Sequence, residues 1–185
     1  SEMCIRDRMI NGAADYTICY FDKRLKNTHA HQLAASLVFY SPLMTLFWYD
    51  TPDLYEGEPE MEWFENLQTV FDESHVLDGM PGKNVTMARR HGKEWFVGML
   101  TNNEGSTEKL NCNFLEKGQT YLASVYTDGG EAVKTKTHVK CSYVLVKSDD
   151  VITFNLKPRG GAAIRLVPVT EKDAKVYRPY LGELF

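Results

Sequence analysis

From about Val70 to Val169 the chain runs as a succession of short segments in which apolar and polar residues alternate, each closed by Gly or a cluster of polar residues. That rhythm limits the fold more than any other feature. VTMARRHGKEWFVGML turns over at His91-Gly92-Lys93 and reads as a hairpin, because alternation places every second side chain on one face and Gly tolerates the backbone of a tight turn. LNCNF, TYLASVYTD, HVKCSYVLVK, VITFNL and AAIRLVPV supply further strands. About seven strands at this spacing predict an antiparallel β-sandwich over residues 70–169. Thr170 to Phe185 forms a charged tail whose Tyr177, Tyr180, Leu184 and Phe185 either dock on a surface or fray.

A different pattern precedes the strands. Leu33 to Tyr49 is almost continuously apolar, yet it is broken by Ser36, Ser41, Pro42 and Thr45 and falls short of the roughly 20 residues a membrane span needs. Asn27 or Thr28 can cap a helix there, and Pro42 should kink or end it. Leu33, Leu37, Val38 and Tyr40 leave that helix little polar face, so it expects cover on both sides. With a strand before it, residues 9–50 read as a strand-helix unit. Residues 51–69 read as an acidic connector: Thr51 to Gly57 is turn-rich, and Pro59 opens a short helix with Met61, Phe64 and Leu67 on one face and Glu60, Glu62 and Glu65 on a solvated one.

The net charge of -4 is unevenly spread. Asp50 to Asp78 holds ten Asp or Glu and no Lys or Arg, whereas from Gly79 onward sixteen Lys or Arg meet eleven Asp or Glu. An acidic segment beside a mildly basic domain points to intramolecular docking or a cation site. The basic residues are dispersed along strands, which excludes a nucleic-acid interface, and no span marks a membrane protein. Cys4, Cys19, Cys112 and Cys141 show neither C-x-x-C nor zinc-finger spacing. Cys112 and Cys141 fall in predicted strands where they could face each other, although buried free thiols are the more ordinary outcome. Ser1 to about Arg8 lacks the apolar core of a signal peptide, and its MCIRDR resembles translated adapter sequence, so residues 1–8 are set aside as a non-native leader.

Several constellations invite chemistry. His29 and His31 stand two apart, so on a helix they diverge and would not share a metal ion; a helix-start histidine touching a neighbouring loop fits better. DLYEGEPEMEWFE lacks the register of a calcium loop and reads as a solvated face. Asp15 is a lone carboxylate where a barrel strand would end, the position at which barrel enzymes place reactive groups; the competing reading is a strand-end Asp capping amides. Trp95, Tyr121, Tyr126 and Tyr143 would suit a sugar-stacking platform, although aromatics on alternating strands more often form core or cross-strand pairs. Asn84-Val85-Thr86 is a glycosylation sequon, relevant only to a secreted eukaryotic protein.

NGAADYT, then THAHQLAASLVFYSPL, WYDTPDLYEGEPE, TVFDESHVLDGMPG, ARRHGKEWFVGMLTN and KPRGGAAIRLVP resemble, in that order, the C-terminal region of glycoside hydrolase family 97, a family of α-glucosidases and α-galactosidases. The resemblance runs from about Met9 to Val169. It implies a parent with an N-terminal β-super-sandwich, a central (β/α)8 barrel and a C-terminal β-sandwich, of which this chain would hold the last barrel unit and the final sandwich. The fold class expected is therefore mainly β, an antiparallel sandwich preceded by a remnant strand-helix unit of the barrel. The resemblance places the catalytic carboxylates and the glutamates for the family's calcium upstream of Asn11, so this chain is expected to supply no catalytic residue and to bind no metal itself. Asp15 and Tyr16 match a Gly-Pro-Met-Asp-Tyr-Thr-Pro segment beside the sugar pocket, with Ala13-Ala14 in place of Pro-Met and Ile18 in place of the final Pro. The parent's partner would be an α-linked oligosaccharide and its location periplasmic or secreted in a Gram-negative bacterium. The sandwich would assist homo-oligomerisation or act as a carbohydrate-binding module.

Overall fold

The computed structural model describes residues 16–39, 41, 43–47, 49–170 and 173–185. The proposed leader, Cys4, Asp15 and the expected break at Pro42 lie outside them. Strand β1 (Tyr16–Ile18), helix α1 (His29–Val38) and strand β2 (Met44–Leu46) come first, and β1 and β2 pair in parallel, Tyr16 opposite Met44. Two 3-10 turns, Pro52–Leu54 and Pro59–Met61, lead to the short helix α2 (Glu62–Asn66). Eight strands follow: β3 (Glu73–Met80), β4 (Asn84–His91), β5 (Glu94–Thr101), β6 (Ser106–Asn111), β7 (Thr120–Asp128), β8 (Val139–Lys147), β9 (Val151–Leu156) and β10 (Gly161–Pro168). A helical turn, α3 (Asp173–Val176), begins the tail.

The strands form a six-stranded antiparallel sheet in the order β3-β4-β5-β10-β7-β8 and a two-stranded antiparallel pair β6-β9. The sandwich core lies between them. Trp95, Val97 and Met99 of β5, Ala123 and Val125 of β7 and Ile164 and Leu166 of β10 pack there against Leu110, Ile152, Phe154 and Leu156 of the small sheet. Alternation sends the intervening residues Phe96, Tyr126 and Ala163 to the other face, where they meet Leu33 and Leu37 of α1, Ile18, Tyr20 and Trp63. Residues Trp95 to Thr101 of β5 are all buried, as a strand covered on both faces requires.

Helix α1 finds the two-sided cover its composition demands. Thr28 caps it, the side chain accepting from His31 N at 3.1 Å, and Phe39 leaves helical geometry at its end. Leu33 and Leu37 are 0% and 1% exposed, each contributing about 1.5–3 kcal/mol of apolar burial. The helix lies close to the sheet because Gly98 of β5 and Gly161 of β10 carry no Cβ. One added at Gly98 would stand 2.9 Å from the Ala34 carbonyl oxygen, and one at Gly161 would stand 2.9 Å from the His31 Cα. The apolar run does not remain helical to its end, since Met44–Leu46 is the parallel strand β2. Leu43 and Tyr49 are exposed, whereas Leu33 to Leu37 are buried.

One detail differs from expectation. The strand read in LNCNF stops at Asn111, whose side-chain oxygen accepts from Asn113 N at 3.1 Å and starts the 3-10 turn Cys112–Phe114. Cys112 consequently lies in the core between the sheets, whereas Cys141 packs with the cluster on the helix side, and these two and Cys19 are free thiols. The tail docks rather than frays. Leu145 N donates to Arg178 O at 2.9 Å, Tyr180 N to Leu145 O at 2.8 Å, and Phe185 N to Thr153 O at 3.0 Å. Phe185 stacks on Phe154 with ring centres 5.8 Å apart, so the tail joins the β8 edge of the large sheet to β9 of the small one.

Candidate functional site

The chemistry-bearing residues converge where the acidic connector crosses the helix side of the large sheet. Pro59 starts a tight turn, and the alternation Glu58-Pro59-Glu60-Met61-Glu62-Trp63 feeds carboxylates and apolar groups into one seam. Trp63 is fully buried and donates from Nε1 to Ser36 Oγ on α1 at 2.9 Å. Glu60, also fully buried, accepts from the Tyr20 hydroxyl at 3.1 Å. Glu62 Oε2 accepts from the Tyr126 hydroxyl at 3.2 Å and the Tyr143 hydroxyl at 3.1 Å. The expectation of a solvated face is therefore overturned for Glu60, which is buried, and for Glu62, which is half-buried: with Trp63 locked under α1, their side chains turn to the tyrosines of β7, β8 and the loop after β1.

Burial sets the charge state of this seam. It pushes the Glu60 carboxyl above its ordinary value and, with Glu60 beside it, holds the Tyr20 phenol well above its own. Burial and then Glu62 push Tyr143 up to about 12, and the same two causes raise Tyr126. The Cys141 thiol is pushed up to about 12 by burial and then by Glu60, which makes it inert rather than nucleophilic. The seam is a clamp in which tyrosine hydroxyls donate and glutamate side chains accept.

Beside it opens a cleft of about 430 Å3 lined by Phe21, Phe47, Pro52, Tyr55, Met61 and Phe64, with Asp50 and Glu65 at its margin. Asp50 is committed to the backbone, accepting from Tyr20 N at 2.9 Å and Phe21 N at 3.2 Å and fixing the loop after β1. Lys136 reaches across from the β7–β8 loop, donating to Leu54 O at 3.2 Å and lying 3.9 Å from Glu56, so the acidic segment docks on the basic domain. Hydrolysis of a glycosidic bond needs one protonated carboxyl and one free carboxylate facing each other across a sugar. Asp50, Glu60 and Glu62 are instead engaged by backbone amides and tyrosine hydroxyls.

Calcium does not fit these residues. It takes six to eight oxygen ligands, whereas among the described residues no group of three or more His, Cys, Asp or Glu is placed to hold a metal ion. Buried oxygens of Glu58 and Glu60 without a hydrogen-bond partner are present, but burial favours the neutral form of Glu60 over the ionised form a ligand requires.

Asp15 lies outside the described residues, and of Tyr16 the structure describes the backbone at the head of β1. His29 and His31 diverge as their spacing predicts. His29 packs edge-on against Tyr20, with ring centres 5.0 Å apart, while His31 Nδ1 lies 3.0 Å from Gly160 O; burial lowers the pKa of each. Trp95, Tyr121 and Tyr126 are 5%, 3% and 0% exposed, and half-buried Tyr143 is bonded to Glu62, so the four do not form an open stacking platform. Asn84 of the sequon turns its Oδ1 to accept from Met80 N at 2.9 Å in the β3–β4 turn, and Thr86 is buried. The tyrosine–glutamate seam was missed in the sequence; its signal is the pairing of Glu-x-Glu-x-Glu-Trp with tyrosines on distant strands.

Residues 70–167 match the family description "Glycosyl-hydrolase 97 C-terminal, oligomerisation". The chain is similar to a retaining alpha-galactosidase of Bacteroides thetaiotaomicron, 34% identical over 173 residues, which takes in 86% of this chain and 26% of that protein. It is similar to a probable retaining alpha-galactosidase of Streptomyces bingchenggensis, 26% identical, with 84% and 24% covered. Its fold superposes with TM-score 0.78 on a glycoside hydrolase family 97 enzyme of Pseudoalteromonas sp. strain K8 in complex with panose, 28% identical, over 88% of this chain and 27% of that one. The chain thus spans about a quarter of the length of the relatives it matches.

Proposed function

Since the chain belongs to glycoside hydrolase family 97, we propose that it is the C-terminal part of an α-glycosidase, carrying the end of the catalytic barrel and the assembly sandwich. The observation that carries this reading is the reach of the similarity. It covers 86% of the chain, well beyond residues 70–167, and so reaches back past the sandwich into the α1 and β2 region. A parallel strand-helix-strand unit is what a barrel's final step contributes.

The parent's substrate on this reading is an α-galactoside cleaved with retention, supported by the names of two relatives; an α-glucoside is the runner-up, supported by the relative solved with panose. Retention would place a nucleophile and an acid about 5–5.5 Å apart, and those groups, with any calcium of the parent, belong to the remainder of the barrel. Asp15 and Tyr16 would stand near the sugar. The residues described here position and seal. Glu60, Glu62, Trp63 and Asp50 hold the barrel-end unit against the sandwich, and a fixed barrel end keeps the neighbouring loops in place for catalysis.

Two experiments test the reading. The purified chain should turn over neither a chromogenic α-galactoside nor an α-glucoside, and turnover by the chain alone would refute it. Source DNA sequenced upstream of the Met9 codon should continue in an open frame encoding barrel strands with acidic residues at their ends. A stop codon directly upstream would instead make a free-standing module. Export to the periplasm or medium is proposed on the family's account and is tested by fractionating cells that produce the parent.

A further inference from the structure

We propose that one end of the sandwich, between its two sheets, binds the hydroxyl groups of a sugar or similar polyol, with Glu108 as the principal acceptor. The inward-facing rows of three strands change character together toward that end. On β5 the row runs Val97, Met99, Thr101; on β4 it runs Ala88, Thr86, Asn84; on β6 it runs Leu110, Glu108, Ser106. Val97 pairs Ala88, Met99 pairs Thr86 and Thr101 pairs Asn84, while Glu108 lies opposite Phe154, a ring of the core. Polar residues at core positions conflict with the fold unless they meet a ligand or one another. Glu108 is 7% exposed, and among the described residues its carboxylate makes no hydrogen bond or ion pair. It lines a pocket of about 130 Å3, room for about four waters or for the diol edge of one sugar ring. A buried carboxylate without a partner is costly, so this pocket calls for a guest that donates to it.

The neighbours decide the chemistry of that guest. Ser106 Oγ donates to Thr101 Oγ1 at 3.1 Å, which leaves the Ser106 oxygen as an acceptor and the Thr101 hydrogen as a donor. Asn84 Oδ1 accepts from Met80 N at 2.9 Å, so its Nδ2 remains a donor. Lys83 and Glu104 bring an ammonium and a second carboxylate to the same lining. Donors and acceptors are thus interleaved. A bare metal cation needs a shell of oxygens and would meet the Lys83 ammonium and the donor hydrogens of Asn84 and Thr101. A hydroxyl donates to Glu108 and accepts from Asn84 or Thr101 at once. Two adjacent hydroxyls of a sugar ring match the two oxygens of Glu108, and Met80, also in the lining, offers apolar contact to the C–H edge of the ring. Only sandwich residues build the site, so it holds whichever glycoside the parent cleaves.

The test is an NMR titration of the chain with methyl α-galactoside and, separately, methyl α-glucoside, with circular dichroism to verify the fold of each variant. At least one sugar should shift the amide signals of residues 101–108, with a Kd in the millimolar range that a few hydrogen bonds support. Glu108→Gln keeps the shape and removes the charge, and it should weaken binding by about tenfold. Asn84→Asp keeps the oxygen that accepts from Met80 N and removes the amide donor, and it should weaken binding as well. Lys109→Gln, on the outward face of β6, should leave binding within about twofold. Signals that stay fixed at about 100 mM of either sugar would overturn the proposal, and so would binding that both Glu108→Gln and Asn84→Asp leave unchanged. Calcium chloride that shifts these signals where neither sugar does would overturn it in favour of a cation.

Discussion

Gly98→Ala is the most informative single change, because the structure gives its sign and its control. A Cβ at Gly98 would stand 2.9 Å from the Ala34 carbonyl oxygen and 3.0 Å from Val38 Cγ2, where ordinary contact begins at 3.4 Å. The helix backbone must therefore retreat by about half an ångström along its seat on the sheet, which forces strain into a close-packed layer. Overpacking of this kind costs about 1–3 kcal/mol. At about 2–4 °C per kcal/mol for a chain of this size, the unfolding midpoint should fall by about 2–12 °C. Gly79→Ala is the control: the same chemistry in another strand, with the nearest atom 3.6 Å away and no positive φ at either site. Alanine in open strand geometry should be neutral or stabilising by a few tenths of a kcal/mol, since it restricts the unfolded chain. Urea unfolding followed by tryptophan fluorescence reads both, with buried Trp63 reporting on the affected interface. Gly98→Ala within about 0.5 kcal/mol of Gly79→Ala would refute the argument that the missing Cβ sets the helix–sheet distance.

Trp63→Phe removes the Nε1 donor from Ser36 Oγ and leaves a gap beside it; a loss of about 1–3 kcal/mol is expected in the same urea assay, with activity of a reconstituted parent falling if the clamp positions the barrel end. Glu60→Gln tests the buried carboxyl. Its folded value is raised, so its contribution to stability is complete below the ordinary carboxylate range and is lost as pH rises through the folded value. The variant should therefore gain stability relative to wild type as pH rises above the ordinary carboxylate range. His29 and His31, lowered by burial, act in the opposite direction but cancel in that difference, and a gap independent of pH would sink the assignment. Thr28→Ala removes the cap on α1 and should cost about 1 kcal/mol, checked by the unfolding midpoint.

Most of the sandwich was legible because period-two alternation is a local signal. TYLASVYTD became β7 and VITFNL became β9 without adjustment, and the His91-Gly92-Lys93 hairpin holds with Gly92 at φ 58°. The errors fell where a distant partner decides. Cys112 left its strand because the Asn111 side chain offered the backbone a turn, and Met44–Leu46 became a strand because β1 lay alongside it. Glu60 and Glu62 were read as solvated since their own helix permits it. Their placement depends on Tyr20, Tyr126 and Tyr143, which lie 40, 64 and 81 residues away from their respective partners. Asymmetric charge hinted at docking, but no local pattern names the acceptor.

The position of β10 has a consequence for how the chain is made. The large sheet is two separate ribbons, β3-β4-β5 and β7-β8, and β10 is the strand that joins them, pairing with β5 on one side and β7 on the other. On the ribosome both ribbons emerge before it, each holding an open apolar edge with nothing to fill the gap. Closure waits for Gly161–Pro168 to be released, and α1, synthesised long before, has no continuous surface to settle on until then. A nascent chain stalled before β10 is therefore a ready client for chaperones, and a chain cut there is one for proteases.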